Sequence, residues 1–255
     1  MGKALITLIS QEPDCRLAGA IERPDHPDCG QDAAETAGGK KCGLLIEASL
    51  DRVTESPDVI IDFSAPEATL NNLDWARQKG AKVVIGTTGF DPAQKKKIRE
   101  ASKRTGIVCS GNMSVGVNLL LNLVNRAAST LKDNYDVEII EAHHHFKKDA
   151  PSGTAKMLAE SAAQGLNRKL SQVATYGREG LIGERDPKEI GIHSVRAGDI
   201  IGEHTVVFGG PGERVELVHK AQSREIFARG ALRAARFISS RKTGLFDMQD
   251  VLGLK

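Results

Sequence analysis

The stretch VIIDFSAPEATLNNLDWARQKGAKVVIGTTG, residues 59–89, decides the fold class of this chain. A β-branched apolar run (59–64) leads into a helical segment (66–80), which has Pro at a plausible first position and Gly at its end. A second apolar run follows at 82–89. The alternation continues with a helical segment at 91–106 and an apolar run at 106–112. This β-α-β-α-β order predicts an α/β fold with a doubly wound parallel sheet.

The pattern changes after residue 112. A long amphipathic helix is predicted at 114–131, a strand at 135–143, a helix from about 151 to 164, and successive strands joined by Gly-rich turns at 190–221. This order indicates a mostly antiparallel α+β domain. A final helix at 223–238 could pack back on the first domain. We therefore predict domains at 1–113 and 114–222, with a C-terminal segment at 223–255 that returns to the first domain.

The composition is that of an ordinary soluble globular protein, with 27% charged and 40% hydrophobic residues. A net charge of +2 and few aromatic residues argue against a nucleic-acid partner. No apolar run approaches the roughly 20 residues that span a bilayer. The apolar centre of the first ten residues is too short for a signal peptide. The four cysteines form no C-x-x-C pair, which is typical of reduced thiols. We expect a cytoplasmic protein with no membrane partner.

The N-terminal residues contain part of a dinucleotide-binding pattern. In a Rossmann unit, a Gly-rich turn opens a helix, and an acidic residue about 20 residues further on binds the ribose hydroxyls. Gly2 begins the apolar segment KALITLIS, and Glu22 follows at this distance, at the end of a predicted strand (17–23). Arg23 could contact a 2′-phosphate, which would permit NADPH as well as NADH. The alternative is a surface Glu-Arg pair at the end of a strand.

Two further turns follow predicted strands at the sheet edge where doubly wound folds bind ligands. They are GTTGF (86–90) and SGNMS (110–114). Their small residues would let the backbone approach a nicotinamide ring or a phosphate. Each turn alone could equally be an ordinary connection between a strand and a helix, but together with Glu22 they favour a cofactor site.

The segment EAHHHFKKDAPSGTA, residues 141–155, combines three histidines, two lysines and a predicted helix start. The free backbone N–H groups of Ser152, Gly153 and Thr154 at a helix N-terminus would bind a carboxylate or a phosphate. The alternative is a solvated N-cap formed by Asp149 or Ser152. Imidazole with a lysine whose pKa is lowered by nearby cations suits proton transfer, and the remaining alternative is a basic surface loop.

A zinc site is the rival interpretation of the three histidines. On an extended segment, His143 and His145 would share a face while His144 pointed away. Two imidazoles without a third ligand, beside lysines that repel a cation, make a poor zinc site. We therefore expect no metal.

The same segment resembles the signature E-A-H-H-x-x-K-x-D-A-P-S-G-T-A of the 4-hydroxy-tetrahydrodipicolinate reductase (dihydrodipicolinate reductase) family. Other segments resemble that family in the same order along the whole chain, among them IDFSAPEATL, VIGTTGF, NMSVGVNLL, YGREG, VRAGDIIGEHTV and FARGALRAARF. The resemblance implies a Rossmann-like domain, and a central α+β domain that binds substrate and forms a homotetramer. It also implies reduction of a cyclic dicarboxylate by NADH or NADPH, in the synthesis of diaminopimelate and lysine.

The resemblance also implies roles for particular residues. His143 would donate or accept a proton and Lys147 would donate one. His144, Gly153 and Thr154 would bind the substrate. The cofactor would be bound by residues of three segments, namely Met1, Glu22 and Arg23, then Gly86, Thr87 and Thr88, then Ser110, Gly111, Asn112 and Met113.

The sequence departs from the family pattern at two places. His145 and Phe146 stand where many members have Arg and His. These positions lie between the proposed catalytic residues, so the departure puts in doubt only the minor contribution of these two residues to the site. The family pattern also places a strand and most of a Gly-rich loop before the position of Met1, so we expect the full-length protein to begin upstream. A form that began at Met1 would bind nucleotide poorly, and a non-catalytic or cofactor-impaired oligomer is therefore the alternative function. Another reductase of the same fold, acting on an amino-acid-derived carbonyl, is the runner-up within the enzyme class.

Overall fold

The computed structural model describes residues 1–255, which form two compact units. The first contains 1–114, 225–253 and 255, and the second contains 115–224 and 254. The break after Ser114 lies at the change of pattern that the sequence shows at residues 112–115. The segment Glu225–Gly253, which includes the predicted final helix, belongs to the first unit.

The predicted helices and strands are present in the predicted order, and the structure adds short elements that were not predicted. The first unit begins with α1 Gly2–Ile9, β1 Ala20–Ile21, α2 Ala33–Thr36, β2 Ile46–Glu47, β3 Val59–Asp62, α3 Pro66–Lys79, β4 Lys82–Ile85, α4 Pro92–Ala101 and β5 Gly106–Cys109. The second unit has α5 Val115–Leu131, β6 Asp136–His143, α6 Gly153–Gly165, α7 Leu170–Val173, β7 Ala174–Tyr176, β8 Ile190–Arg196, β9 Glu203–Gly210 and β10 Glu213–Lys220. The chain then adds α8 Glu225–Ser239, β11 Gly244–Phe246 and α9 Met248–Leu252. Short 3₁₀ turns occupy Leu50–Arg52 and Lys132–Asn134.

The main sheet of the first unit is parallel, in the order β11-β5-β4-β3. Helices α3 and α4 bury Leu73 and Ile98 against one face. Ile238 of α8 lies on the other face, against Gly106 of β5. Helices therefore cover both faces, which confirms the predicted Rossmann-like doubly wound fold.

One predicted strand is shorter than expected. The segment 17–23 contributes only Ala20–Ile21, which pairs in parallel with β2 in a separate two-stranded sheet. Two residues are enough to place Glu22 directly after the strand, and its backbone N–H donates to Glu47 O at 3.0 Å.

The carboxyl ends of the parallel strands lie at one edge of the main sheet. Asp62 of β3 is the register partner of Ile85 of β4, which is in turn the partner of Cys109 of β5. The loops that begin at Phe63, Gly86 and Ser110 therefore leave the sheet side by side, at the edge where such folds bind their ligands.

The second unit has a five-stranded sheet in the order β10-β9-β6-β8-β7. We expected mostly antiparallel pairing, and the sheet is mixed. The pairs β6–β8 and β7–β8 are parallel, whereas β6–β9 and β9–β10 are antiparallel. Strand β8 can pair in parallel with β6 because α6, α7 and β7 lie between them in the chain, and this connection is long enough to return the chain in the same direction.

Helices α5 and α6 cover one face of this sheet. They bury Leu120 and Leu158 in a core that includes Ile139, Ile192 and Phe208 from the strands. The opposite face carries Ile140, Val195 and Val218, each more than two-fifths exposed. No helix of either unit is long and apolar enough to cross a membrane.

Candidate active site

The strand register of the second unit brings the polar residues together. Glu141 of β6 lies beside His204 of β9 and Ser194 of β8, and His143 lies beside Arg196. Residues two apart on a strand point to the same face, so these side chains share the helix-covered face near the end of β6. The sheet therefore builds a polar cluster at one end of an otherwise apolar core.

Glu141 is the centre of this cluster and is fully buried. Arg196 donates to both carboxylate oxygens at 2.8 Å, and the backbone N–H of Ser152 donates to Oε1 at 3.1 Å. Burial by itself raises the pKa of Glu141, but the hydrogen bonds from Arg196, His143 and Ser194 outweigh it and lower the pKa to about 2. Glu141 is thus a buried carboxylate that stays ionised near neutral pH.

His143 contacts Glu141 directly, with its Nδ1 2.6 Å from Oε2. Its ring packs edge-on against His204 with 5.3 Å between centroids. Burial lowers the pKa of His143, against the opposing effect of Glu141. The imidazole is therefore fixed in orientation and largely neutral at pH 7, as a proton acceptor requires.

The other two histidines do not follow the extended arrangement that we expected. Strand β6 ends at His143, and the backbone turns at once, with His144 N–H donating to Ile200 O at 2.6 Å and His145 N–H to Gly198 O at 3.2 Å. His145 stacks edge-on with Phe146 at the exposed end of the turn. The alternating pattern is wrong because the strand stops one residue into the histidine run. No group of three or more His, Cys, Asp or Glu side chains converges as a metal site would require.

Lys147 lies in the turn that follows. Its Nζ is 2.8 Å from Asp149 Oδ1, and its side chain is about one-fifth exposed. We expected nearby cations to surround this lysine, but its close partner is a carboxylate. Asp149 therefore pairs with Lys147 and does not cap the following helix.

Ser152 is the N-cap of α6. Its Oγ accepts from Ala155 N–H at 3.1 Å and lies 3.0 Å from His204 Nε2. This hydrogen bond makes Ser152 the N-cap, which was one of the two residues that the alternative interpretation named. The Ser152 side chain is buried, so the cap is not solvated. Gly153 and Thr154 form the first turn of α6, and Gly153 is exposed with open space where a side chain would be. The helix N-terminus thus remains accessible at Gly153.

The nucleotide side belongs to the first unit. An open cavity of about 630 Å³ lies at the ends of β1 and β3, lined by Gly2, Glu22, Arg23, Asp62 and Ser64 among others. Gly2 is the first residue of α1, and a Cβ atom placed on it would meet no other atom within 4 Å, so the helix N-terminus is open to the cavity. A helix N-terminus, a carboxylate and an arginine around one cavity fit the phosphate and ribose of a dinucleotide.

The other predicted cofactor residues lie in loops at the same sheet edge. Thr87 is buried, and its hydroxyl lies 3.2 Å from Asp62 Oδ1 and accepts from Ser64 N–H at 3.0 Å. Its side chain therefore faces inward. The ring of Phe63 lies against Gly86, and Thr88 is exposed.

The turn at residues 110–113 is held by its own hydrogen bonds. Ser110 Oγ donates to Asn112 O at 2.8 Å, and Gly111 is exposed at the tip. Met113 is 1% exposed, so its side chain belongs to the core and only its backbone borders the turn.

Four residues of the cluster were not predicted from the sequence. Glu141 and Arg196 form its ion pair, His204 contacts both His143 and Ser152, and Arg224 Nη2 lies 3.4 Å from His144 Nε2. Glu141 and His143 stand two apart on one strand, a spacing that predicts a shared face. Arg196, His204 and Arg224 lie much further along the chain, and only the register of β8 and β9 brings the first two to Glu141.

A parallel sheet with a cavity suited to a dinucleotide, together with a separate unit that carries an acid/base cluster, defines a nucleotide-dependent oxidoreductase. Residues 1–113 match the family model described as "Dihydrodipicolinate reductase, N-terminus", and residues 116–252 match "Dihydrodipicolinate reductase, C-terminus". The chain belongs to the dihydrodipicolinate reductase family, as its resemblance implied.

Proteins named 4-hydroxy-tetrahydrodipicolinate reductase are similar over the whole chain. Those from Nitrosospira multiformis and Hahella chejuensis are 51% and 52% identical over 255 residues, covering all of this chain and 94% and 96% of those proteins. A solved dihydrodipicolinate reductase from Paenisporosarcina sp. TG-14, with dipicolinate bound, is 25% identical with a TM-score of 0.76 and covers 98% of this chain and 94% of that one. An amine dehydrogenase from Mycobacterium smegmatis, 12% identical with a TM-score of 0.57 over 96% of this chain and 91% of that one, shares the fold.

Proposed function

We propose that this protein reduces 4-hydroxy-tetrahydrodipicolinate to tetrahydrodipicolinate, with loss of water, in diaminopimelate and lysine synthesis. The full-length similarity to reductases of that name supports the activity. The structural observation that carries the proposal is the polar cluster. In it, the imidazole of His143 contacts the buried, ionised carboxylate of Glu141, close to the N-terminus of α6. The similarity to these reductases favours this function over a non-catalytic oligomer.

Bound NADH or NADPH supplies the hydride. Loss of the substrate hydroxyl as water gives a conjugated imine, and hydride addition leaves electron density that takes up one proton. The protein must therefore hold a proton donor near the reacting carbon and nitrogen atoms.

His143 and Lys147 are the residues that we assign to proton transfer. The lowered pKa of His143 leaves its imidazole as a base at neutral pH. Lys147 pairs with Asp149 as an ammonium group and can give up a proton. We infer that Lys147 donates the proton and that His143 exchanges protons with the substrate or with water.

The carboxylates of the substrate require donors and positive charge. The first turn of α6 offers the exposed backbone of Gly153 and, beside it, Thr154. His144 and Arg224 lie together within the same unit, and Arg224 adds a cation that can bind a carboxylate in a fork. We assign one carboxylate to Gly153 and Thr154 and the other to His144 with Arg224.

For the cofactor, we assign the cavity of the first unit to the adenosine half. Met1 and Gly2 at the start of α1 would face the phosphates, and Glu22 would accept hydrogen bonds from the ribose hydroxyls. Arg23 beside Glu22 permits a 2′-phosphate, so both NADH and NADPH are compatible with these residues. Gly86, Thr87 and Thr88, with Ser110, Gly111, Asn112 and Met113, would border the nicotinamide half through their backbones.

We further propose a homotetramer in the cytoplasm. The uncovered face of the second unit's sheet carries Ile140, Val195 and Val218, which lie on three different strands. Apolar residues on an open sheet face favour burial against another subunit. Glu138 forms ion pairs with two arginines, Arg178 and Arg185, beside this apolar face.

A binding comparison tests the dicarboxylate site and separates this function from that of another reductase with the same fold. Calorimetry should detect binding of dipicolinate, a planar dicarboxylate, in the presence of reduced cofactor. Picolinate, which lacks one carboxylate, should bind at least about tenfold more weakly because one charge-assisted contact is lost. Equal affinity for the two compounds would contradict the dicarboxylate assignment.

A further inference from the structure

We propose that Glu141 is a positioning residue that fixes the tautomer of His143, so that all proton exchange by this imidazole occurs at Nε2. This inference rests on the proposed function for its purpose, but the hydrogen-bond geometry that carries it does not depend on the substrate. Glu141 is distinct from the residues assigned to proton transfer, to substrate binding and to cofactor binding.

The Glu141 carboxylate is held in its ionised form. It is fully buried, and Arg196 binds it in a bidentate pair with both distances at 2.8 Å. An isolated buried charge is costly, but a fork of two charge-assisted hydrogen bonds compensates for it. The Ser152 N–H at 3.1 Å adds a third donor. Both carboxylate oxygens of Glu141 therefore accept hydrogen bonds.

The ionised carboxylate determines which nitrogen of His143 carries the proton. It has no proton to donate, so the atom 2.6 Å from Glu141 Oε2 must be Nδ1–H. In the neutral ring, Nε2 then carries the lone pair, and in the charged ring it carries the proton that can leave. The charged and titratable groups around His143 are Glu141, Lys147, Arg196 and His204, and of these only Glu141 contacts its Nδ1.

Gly202 leaves space at the other nitrogen of the ring. A Cβ atom placed on Gly202 would lie 3.1 Å from His143 Nε2, closer than an ordinary contact. The glycine therefore keeps the reactive edge of the ring free of a side chain. One edge of His143 is bound to Glu141, and the other faces a glycine.

The same carboxylate also connects the proton-transfer residue to the anion site. Oε1 accepts from the backbone of Ser152, the N-cap of α6, and Arg196 donates from Nη2 to Asp149 O at 2.7 Å. The Glu141–Arg196 pair thus fixes Asp149 and Ser152, which follow Lys147 in the chain. Loss of the pair should disturb turnover far more than cofactor binding.

The decisive measurement is made on the unaltered protein without substrate. Nitrogen-15 NMR of the histidine-labelled protein near pH 7 should show His143 as the Nδ1–H tautomer, with Nε2 unprotonated. His143→Gln assigns the signal. Observation of the Nε2–H tautomer would overturn the proposal whether or not the enzyme reduces the proposed substrate.

Glu141→Gln supplies the second test. The amide oxygen should remain with Arg196, so its NH₂ group faces His143 and switches the ring to the Nε2–H tautomer. We expect kcat to fall by about 10²-fold or more, the size of a general acid–base contribution, with the KM for NADH nearly unchanged. An unchanged kcat with a switched tautomer would overturn the functional part of the proposal.

Glu138→Gln is the matched control. Glu138 lies on the same strand and also pairs with arginines and with a histidine, His193, at 2.7 Å, but it is on the opposite face of the sheet. This variant should leave the His143 tautomer as it is in the unaltered protein. A tautomer change in Glu138→Gln would show that the ring responds to general loss of charge, and would overturn the specific role of Glu141.

Discussion

At the scale of single residues, the proposed mechanism depends on His143 and Lys147 as distinct proton-transfer groups. His143→Ala and Lys147→Ala should each lower kcat by about 10² to 10⁴-fold, because each removes a general acid–base group. Steady-state kinetics with circular dichroism to verify the fold provides the measurement.

His145→Ala is the control for these variants. His145 is adjacent in sequence but stacks on Phe146 at the exposed end of the turn, away from Glu141. It should keep nearly full turnover. Comparable losses in all three variants would mean that the turn, and not its proton-transfer groups, determines the rate.

The sequence predicts His143, Lys147 and the start of α6 as parts of one site because they lie within one short segment, residues 141–155. It did not identify Arg196 and His204, which reach Glu141 only through the register of β8 and β9. It also could not show that β6 ends at His143, because a run of histidines has no periodicity that distinguishes a strand from a turn. Strand pairing, which is a long-range property, thus limits what the sequence predicts about this site.

At the scale of elements, His204 on β9 makes the stability depend on pH. Burial lowers its pKa to about 4, with His143, His219 and Lys147 acting in the same direction and Glu141 opposing. The unfolded chain binds a proton at this position near pH 6.5, so the stability contribution is complete above that pH and is lost as the pH falls towards 4. We expect the free energy of unfolding to fall by about 2 kcal/mol from this group between about pH 7 and pH 5.

Urea denaturation at the two pH values measures this change. His204→Gln keeps a hydrogen-bonding group near Ser152 but cannot titrate, so the slope in this interval should become shallower by the contribution of His204. The contributions of His143 and His219, whose pKa values burial also lowers, should remain. The paired carboxylates Glu138 and Glu141 are expected to lose their contribution only at lower pH, as the pH falls below about 4.5. The same slope in His204→Gln would contradict the assignment.

The packing of α8 also supports the 110–113 turn, which we propose borders the cofactor. A Cβ atom on Gly230 would lie 1.7 Å from Met113 O, so the helix and the 110–113 turn are in close contact. Gly230→Ala should destabilise the protein by about 1–3 kcal/mol and should also weaken NADH binding, because the turn must move. Calorimetric titration of NADH measures the second effect.

Gly165→Ala is a matched change in the second unit. Its Cβ would lie 2.5 Å from Asn125 O, between α6 and α5. It should reduce the free energy of unfolding to a similar extent while the affinity for NADH stays the same. Equal losses of NADH affinity in the two variants would mean that the effect is one of general stability.

At the scale of the whole molecule, the open sheet face should hold the subunits together. Ile140→Asp places a charge at the centre of that face, where the unaltered side chain is 41% exposed. Burying an unpaired carboxylate is unfavourable, so the variant should form a smaller assembly in light scattering. Leu245→Asp changes a residue of similar exposure, 42%, on the first unit and should leave the mass unaltered. A tetramer in both variants would exclude this face.

The sequence predicts a domain boundary at residues 112–115, where the regular alternation of short strands and helices gives way to a long amphipathic helix, and the first unit ends its N-terminal part at Ser114. The residues alone predict the return of the C-terminal helix to the first unit only as a possibility, because a helical pattern does not show which domain the helix packs against. The mixed direction of the second sheet could not be predicted, because short strands carry no signal for which neighbour they pair with.

The most direct test of the central claim is a turnover assay. The purified protein is mixed with enzymatically generated 4-hydroxy-tetrahydrodipicolinate and either NADH or NADPH, and the absorbance of the reduced nicotinamide is followed. We predict oxidation of cofactor that depends on the substrate and is lowered by about 10²-fold or more in Lys147→Ala. Failure to oxidise either cofactor with saturating substrate, by a folded protein that binds NADH, would contradict the proposed function.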